Sequence, residues 1–205
     1  MDFVGPPEKD LADLQWAFEH LRSECIWLQE LCETCSQLYE SGQETLDLLD
    51  LASSSFFRDH NWMIIDLIRL NIWKITDRAR DGKQNENLTI RNINGRLEAL
   101  GLQTEDIKRV SDELHRFRGL IDSSRSKIIA HADLQTIRNG KALGGIPEGE
   151  FETFQSNLQA YNDLVGIACG IGPLHYTGTG RAGDVDQLLS LLAAGLRSTS
   201  RSDRK

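Results

Sequence analysis

Nowhere in the 205 residues does an apolar run approach the roughly 20 residues that a bilayer-spanning helix needs, so no membrane span is expected. The first ten residues, MDFVGPPEKD, lack the apolar centre of a secretory signal and carry an acidic residue at position two, which points to a cytoplasmic protein. Strand-like alternation is almost absent, and no repeat of fixed period occurs. Positive charge is in deficit as well. Against 31 Asp and Glu stand 23 Lys and Arg, a net charge of −8 at pH 7. Phosphate binding needs concentrated Lys and Arg, so any contact with nucleic acid must come from a local patch.

The signatures of several enzyme classes are missing too. The five histidines, His20, His60, His115, His131 and His175, are scattered, and no H-E-x-x-H, paired Cys/His spacing or set of Glu-x-x-His pairs is present, so neither a metal nor a cofactor is expected. A G-x-S-x-G nucleophile elbow is absent. GTGRAG at 178–183 formally satisfies G-x-G-x-x-G, but no buried strand precedes it and no βαβ unit surrounds it; it reads as a turn before a helix N-cap. CETC at 32–35 has no second ligand pair, and Cys32 and Cys35 fall on consecutive core positions of a helical stripe.

Helical periodicity is what the chain has in abundance. Leu11, Leu14, Phe18, Leu21, Cys25, Leu28, Cys32, Cys35 and Tyr39 recur three and four apart, one long amphipathic helix. After Gly42 a shorter helix is expected over Thr45–Ser55, then a third from 60 to about 80, apolar over most of its circumference and therefore covered on several sides. Residues 81–87, DGKQNEN, read as a loop. Thr89 caps a short helix ended by Gly101, and Thr104 opens another with the stripe Ile107, Val110, Leu114, Phe117 and Ile121; Asp122-Ser123-Ser124 suggests a restart. Asn139-Gly140 suggests a hairpin. Pro147 precedes a helix bearing Phe151, Phe154, Leu158, Tyr161, Val165 and Ala168, and Asp184 caps a last one to about Leu196. The expectation is an all-α, helical bundle of about six to seven helices with a four-helix core. It forms one domain over residues 10–196, between a disordered N-terminus (1–9) and a disordered basic tail (197–205).

One segment reverses the sign of the chain. Between 108 and 131 lie Lys108, Arg109, Arg116, Arg118, Arg125 and Lys127 against Asp112, Glu113 and Asp122. On a helix, the six residues from Arg125 to His131 advance about 9 Å and turn about 600°, leaving the two side chains about 120° apart. Two copies related by a twofold axis would set Arg and His from both around one cleft. Such a cleft suits phosphodiester cleavage in RNA, the imidazole moving protons and the guanidinium holding phosphate charge. On periodicity alone, the other reading is that Arg125 and Lys127 are solvated and His131 caps a helix end.

Arg125-Ser-Lys-Ile-Ile-Ala-His131-Ala-Asp133 resembles the R-x(4 to 6)-H motif of the HEPN superfamily, helical proteins that include metal-independent endoribonucleases of toxin-antitoxin and phage-defence systems. Lys74-Ile-Thr-Asp77, Asn87-Leu-Thr-Ile90 and Gly183-Asp-Val-Asp186 are similar to segments of its AbiU-type, abortive-infection branch. The resemblance implies that Arg125 and His131 form the catalytic pair at a homodimer interface, with Ser126, Lys127, Lys74 and Arg118 binding RNA or supporting the pair. It implies an RNA substrate and a cognate antitoxin protein as partners. The position after the arginine, often Asn, Asp or His, is Ser126 here. The Tyr two after the histidine, which marks toxins silenced by nucleotide transfer, is replaced by Asp133.

Overall fold

The computed structural model describes residues 8–82, 85–124, 147, 149–174 and 184–202. Within them the protein is all-α apart from one two-stranded ribbon. The elements are α1 (Glu8–Tyr39), α2 (Gln43–Ile75), β1 (Arg80–Asp81), β2 (Asn85–Glu86), α3 (Ile90–Ala99), α4 (Glu105–Ser124), α5 (Glu150–Ala168) and α6 (Val185–Ser202).

The described residues fall into two compact units. The first takes the chain up to Trp27 and Arg69–Tyr176; the second takes Leu28–Ile68 and the chain from Thr177 onward. In the first unit the expected stripes are the buried ones: Leu14, Phe18, Leu21 and Cys25 of α1, Ile107, Val110, Leu114, Phe117 and Ile121 of α4, and Phe154, Leu158, Tyr161 and Val165 of α5. Each large side chain so buried contributes about 1.5–3 kcal/mol of transfer free energy. Phe117 and Phe154 stack with centroids 4.5 Å apart, joining α4 to α5. In the second unit Leu38 of α1, Leu49 and Phe57 of α2 and Val185 of α6 form a small core, flanked by Tyr39, Ala52, Leu189 and Leu192.

The side-chain caps form as their residue types dictate. Thr89 Oγ1 accepts from Asn92 N at 3.2 Å, Thr104 Oγ1 from Ile107 N at 3.2 Å, and Asp184 Oδ1 from Gln187 N at 3.1 Å. Gly101 follows α3 with φ 69°, the left-handed geometry that glycine adopts without a Cβ clash.

Several expectations are corrected. The two helices foreseen between 45 and 80 are the two parts of α2, but the break between them falls at Ser53 (φ −169°, ψ 81°), within the run Ser53-Ser54-Ser55 where serine hydroxyls compete weakly for backbone groups, rather than between Ser55 and His60. α2 stops at Ile75. The residues read as a loop at 81–87 include a short antiparallel ribbon with Arg80 opposite Glu86, closed by Asn87 N donating to Ala79 O at 2.8 Å. The apolar part of α2 is covered on one face only: Ile64, Ile68, Ile72 and Ile75 are buried, but Trp62 and Met63 are 63% and 58% exposed. α4 runs unbroken through Ser124, a separate helix holding Arg125 and His131 would lie outside the described residues, and α6 continues past Leu196 to Ser202. The hairpin at Asn139-Gly140 and the GTGRAG turn at 178–183 lie outside the described residues.

Candidate functional site

Two sequence segments singled out above meet at Arg118. Its stripe neighbours Leu114, Phe117 and Ile121 are buried, which fixes the rotation of α4 and turns Arg118 toward the end of α2. Its Nη1 donates to Thr76 O at 2.7 Å and its Nη2 to Asp77 Oδ1 at 3.3 Å, while the guanidinium carbon sits 4.2 Å from the centre of the Trp73 ring. Three effects therefore act together: a cation at the C-terminal end of a helix, a charge-assisted hydrogen bond, and a cation–π contact. The Arg118 side chain is 17% exposed, so solvent screens these contacts less than it does a surface pair.

Thr76 and Asp77 belong to Lys74-Ile-Thr-Asp77. Thr76 is buried and its hydroxyl donates to Ile72 O at 2.6 Å, which closes the last turn of α2. Asn87-Leu-Thr-Ile90 lies beside it: Asn87 Nδ2 donates to Arg78 O at 3.0 Å, and the buried Tyr161 hydroxyl approaches Ile90 O at 3.3 Å and donates to Asn94 Oδ1 at 2.9 Å. Lys74 itself points to α1, with Nζ 2.7 Å from Glu24 Oε1 on a half-exposed surface.

The cations along α4 are largely matched by carboxylates of the same unit. Arg109 pairs with Asp106 at 3.4 Å. Arg116 takes Glu113 at 2.7 Å and both oxygens of Glu150, at 3.2 and 2.6 Å, so the start of α5 is tied to α4. That contact holds the Glu150 carboxyl below its ordinary range, chiefly through the hydrogen bond from Arg116. Of the site residues named from sequence, Lys74 and Arg118 are placed; Arg125, Ser126, Lys127 and His131 lie outside the described residues.

Sequence reasoning missed three polar arrangements. His115, on α4, has Nδ1 2.7 Å from Ser111 O. A carbonyl can only accept, so Nδ1 carries the proton and Nε2, buried and without a partner among the described residues, bears the lone pair of the neutral ring. Burial holds its pKa below the ordinary value, and Arg91 and Arg118 push the same way. Arg22 of α1 spans to the far end of α5, donating from Nη2 to Gly172 O at 2.8 Å and Asn162 O at 3.2 Å over the Phe18 ring. In the second unit the Tyr39 hydroxyl donates to Phe57 O at 3.0 Å and lies 2.7 Å from His60 Nδ1; burial pushes its pKa up to about 12. The Arg22 and Tyr39 contacts join residues far apart in sequence, and no local spacing signals them; the His115 contact is local, four residues back along α4, and what sequence does not show is the burial of its ring.

Cys25, Cys32 and Cys169 are buried free thiols, and burial pushes Cys25 up to about 12. Among the described residues no three His, Cys, Asp or Glu are grouped to hold a metal ion, and no helix is long and apolar enough to cross a membrane. No protein-family model matches the chain, and no curated protein or solved structure matches it significantly.

Proposed function

We propose that the protein is a metal-independent endoribonuclease of the HEPN kind, cytoplasmic and serving a toxin-antitoxin or phage-defence system, with Arg125 and His131 of two copies composing one site. The observation that carries this reading is the hydrogen bonding of Arg118 to Thr76 O and Asp77 Oδ1. It ties Lys74-Ile-Thr-Asp77, one segment of the resemblance, to α4, the helix that precedes Arg125 and His131 in the sequence.

In this reading the RNA 2′-hydroxyl attacks the adjacent phosphorus. The His131 imidazole takes the hydroxyl proton, the bond to the 5′-oxygen breaks, and a proton delivered to that oxygen completes a 2′,3′-cyclic phosphate and a 5′-hydroxyl end. The Arg125 guanidinium holds the charge that builds on the phosphoryl oxygens. Acid–base action contributes about 10²- to 10⁴-fold and a charge-stabilising donor about 10²- to 10³-fold, so neither residue is dispensable. The test is incubation with structured and unstructured RNA in EDTA, comparing wild type with Arg125→Ala and His131→Ala. Loss of cleavage in both variants is expected; cleavage that survives both sinks the reading.

A second reading is a helical module that binds RNA or a protein partner without turnover. The carboxylates that match Arg109, Arg116 and Arg118 favour it, because they leave α4 with less uncompensated charge for phosphate. A saturable RNA complex without cleavage, weakened by Arg125→Ala, selects it.

A further inference from the structure

The Leu28–Ile68 part of the second unit is strongly acidic. Between Leu28 and Ile68 eight Asp and Glu side chains stand against a single Lys or Arg, Arg58. Even that cation is engaged, its Nε 3.6 Å from Asp59 Oδ1. Such a stretch disfavours a phosphate backbone.

Within this acidic stretch lies a groove of about 360 Å³ at the break in α2, inside the ~300–1,000 Å³ range of side-chain and ligand clefts. Its apolar walls come from Leu46, Leu49 and Phe57, and Asp47 and Asp50 line it with Arg58. Among the described residues the Asp47 carboxylate accepts from a neutral group, Gln43 Nε2 at 2.8 Å, which does not cancel its charge. Phe57 also lines a second groove, of about 450 Å³, with Phe56, His60 and Leu188. Phe56 is 57% exposed, and Leu46 and Leu51 are exposed as well.

We propose that this face docks a basic amphipathic segment of another protein, placing an apolar side chain against Leu46 and Phe57 and its Lys or Arg side chains on Asp47 and Asp50. Charge decides the occupant. A second copy would bring Asp47 and Asp50 against their own images, and like charges in contact are repulsive. An acidic or neutral helix would fill the apolar walls but leave the carboxylates uncompensated. A purely basic strand would satisfy the carboxylates and leave the apolar surface wet. Only a segment carrying both characters uses both.

The experiment uses the full chain and a fluorescent 14-residue helical peptide with Lys on one face and Leu and Trp on the other; its twin has Glu in place of Lys. Saturable binding of the Lys peptide is expected, weakened at least tenfold by Asp47→Lys with Asp50→Lys and again by Leu46→Ser. The pair Glu19→Lys with Glu98→Lys makes the same change of net charge in the first unit and leaves binding as it was. Hydrogen exchange of the complex slows over residues 43–61. The proposal is overturned if the Glu twin binds equally, if both charge-reversed pairs weaken binding alike, if neither pair nor Leu46→Ser weakens it, or if sedimentation shows this face closing a dimer of the chain. Leu46→Ser and the exchange map decide the matter if the Asp47/Asp50 pair does not fold.

Discussion

Arg22 and Gly172 are joined across 150 residues: Nη2 of the arginine lies 2.8 Å from the glycine carbonyl oxygen. The contact closes the C-terminal end of α5, where Ile171 N and Gly172 N both return to Gly166 O at 3.0 Å. A cation placed on these carbonyls complements the negative end of the helix dipole. The arrangement demands a residue without a side chain at 166, since a Cβ there would overlap both the Arg22 guanidinium and the Gly172 carbonyl.

Gly166→Ala is therefore expected to destabilise the protein by about 2–3 kcal/mol, because a backbone carbonyl has nowhere to move. In a domain of this size that lowers Tm by roughly 5–10 °C in a thermal melt. An unchanged melt would refute the close packing.

Arg118→Ala should cost about 2–3 kcal/mol through the loss of hydrogen bonds to Thr76 O and Asp77 and of the Trp73 contact. Arg118→Lys keeps the charge but not the planar fork, and is expected to recover less than half of the loss in urea unfolding. Full recovery by lysine would mean that charge alone matters there.

His115 predicts a pH dependence. Its folded pKa is below the ordinary 6.5, so in the window beneath that value the unfolded chain binds the proton more readily. Its neutral form is stabilising above about pH 6.5, and stability falls as pH drops through 6.5 toward the lowered value. His115→Gln should flatten this part of the stability–pH curve in denaturant titrations, while a curve of unchanged slope would show that His115 is not its source.

The thiols should be inert in the native protein. Burial pushes Cys25 up to about 12 and both Cys35 and Cys169 up to about 11, so little thiolate exists at pH 8. Reaction with a thiol reagent at pH 8 is expected to be slow and confined to Cys35, which is half-buried, with all four cysteines reacting once the chain is unfolded. Rapid native labelling of Cys25 would contradict the core assignment.

Periodicity carried most of the helices. The stripes of α1, α4 and α5 are visible in sequence because each keeps its apolar residues three and four apart, and Thr89, Thr104 and Asp184 mark helix starts by their own chemistry. A break between the two parts of α2 was legible but its place at Ser53 was not, since serine is only a mild helix former, and two-residue strands are too short to show alternation. The exposed face at Trp62 and Met63 was invisible for another reason: hydrophobicity tells which residues prefer burial, not which find cover. At the candidate site, the local cationic segment was readable. Its matching by Asp77 and Glu150 was not, because those partners lie 41 and 34 residues away. Arg125 and His131 remain statements of sequence pattern and spacing.

The stacking of Phe117 on Phe154 and the double contact of Arg116 with Glu150 fasten α4 to α5 independently of the 25 residues that join them. Those residues include Arg125, Ser126, Lys127 and His131. The two helices are thus riveted at two separate points, one apolar and one ionic, so that losing either alone leaves the other to hold the pair together.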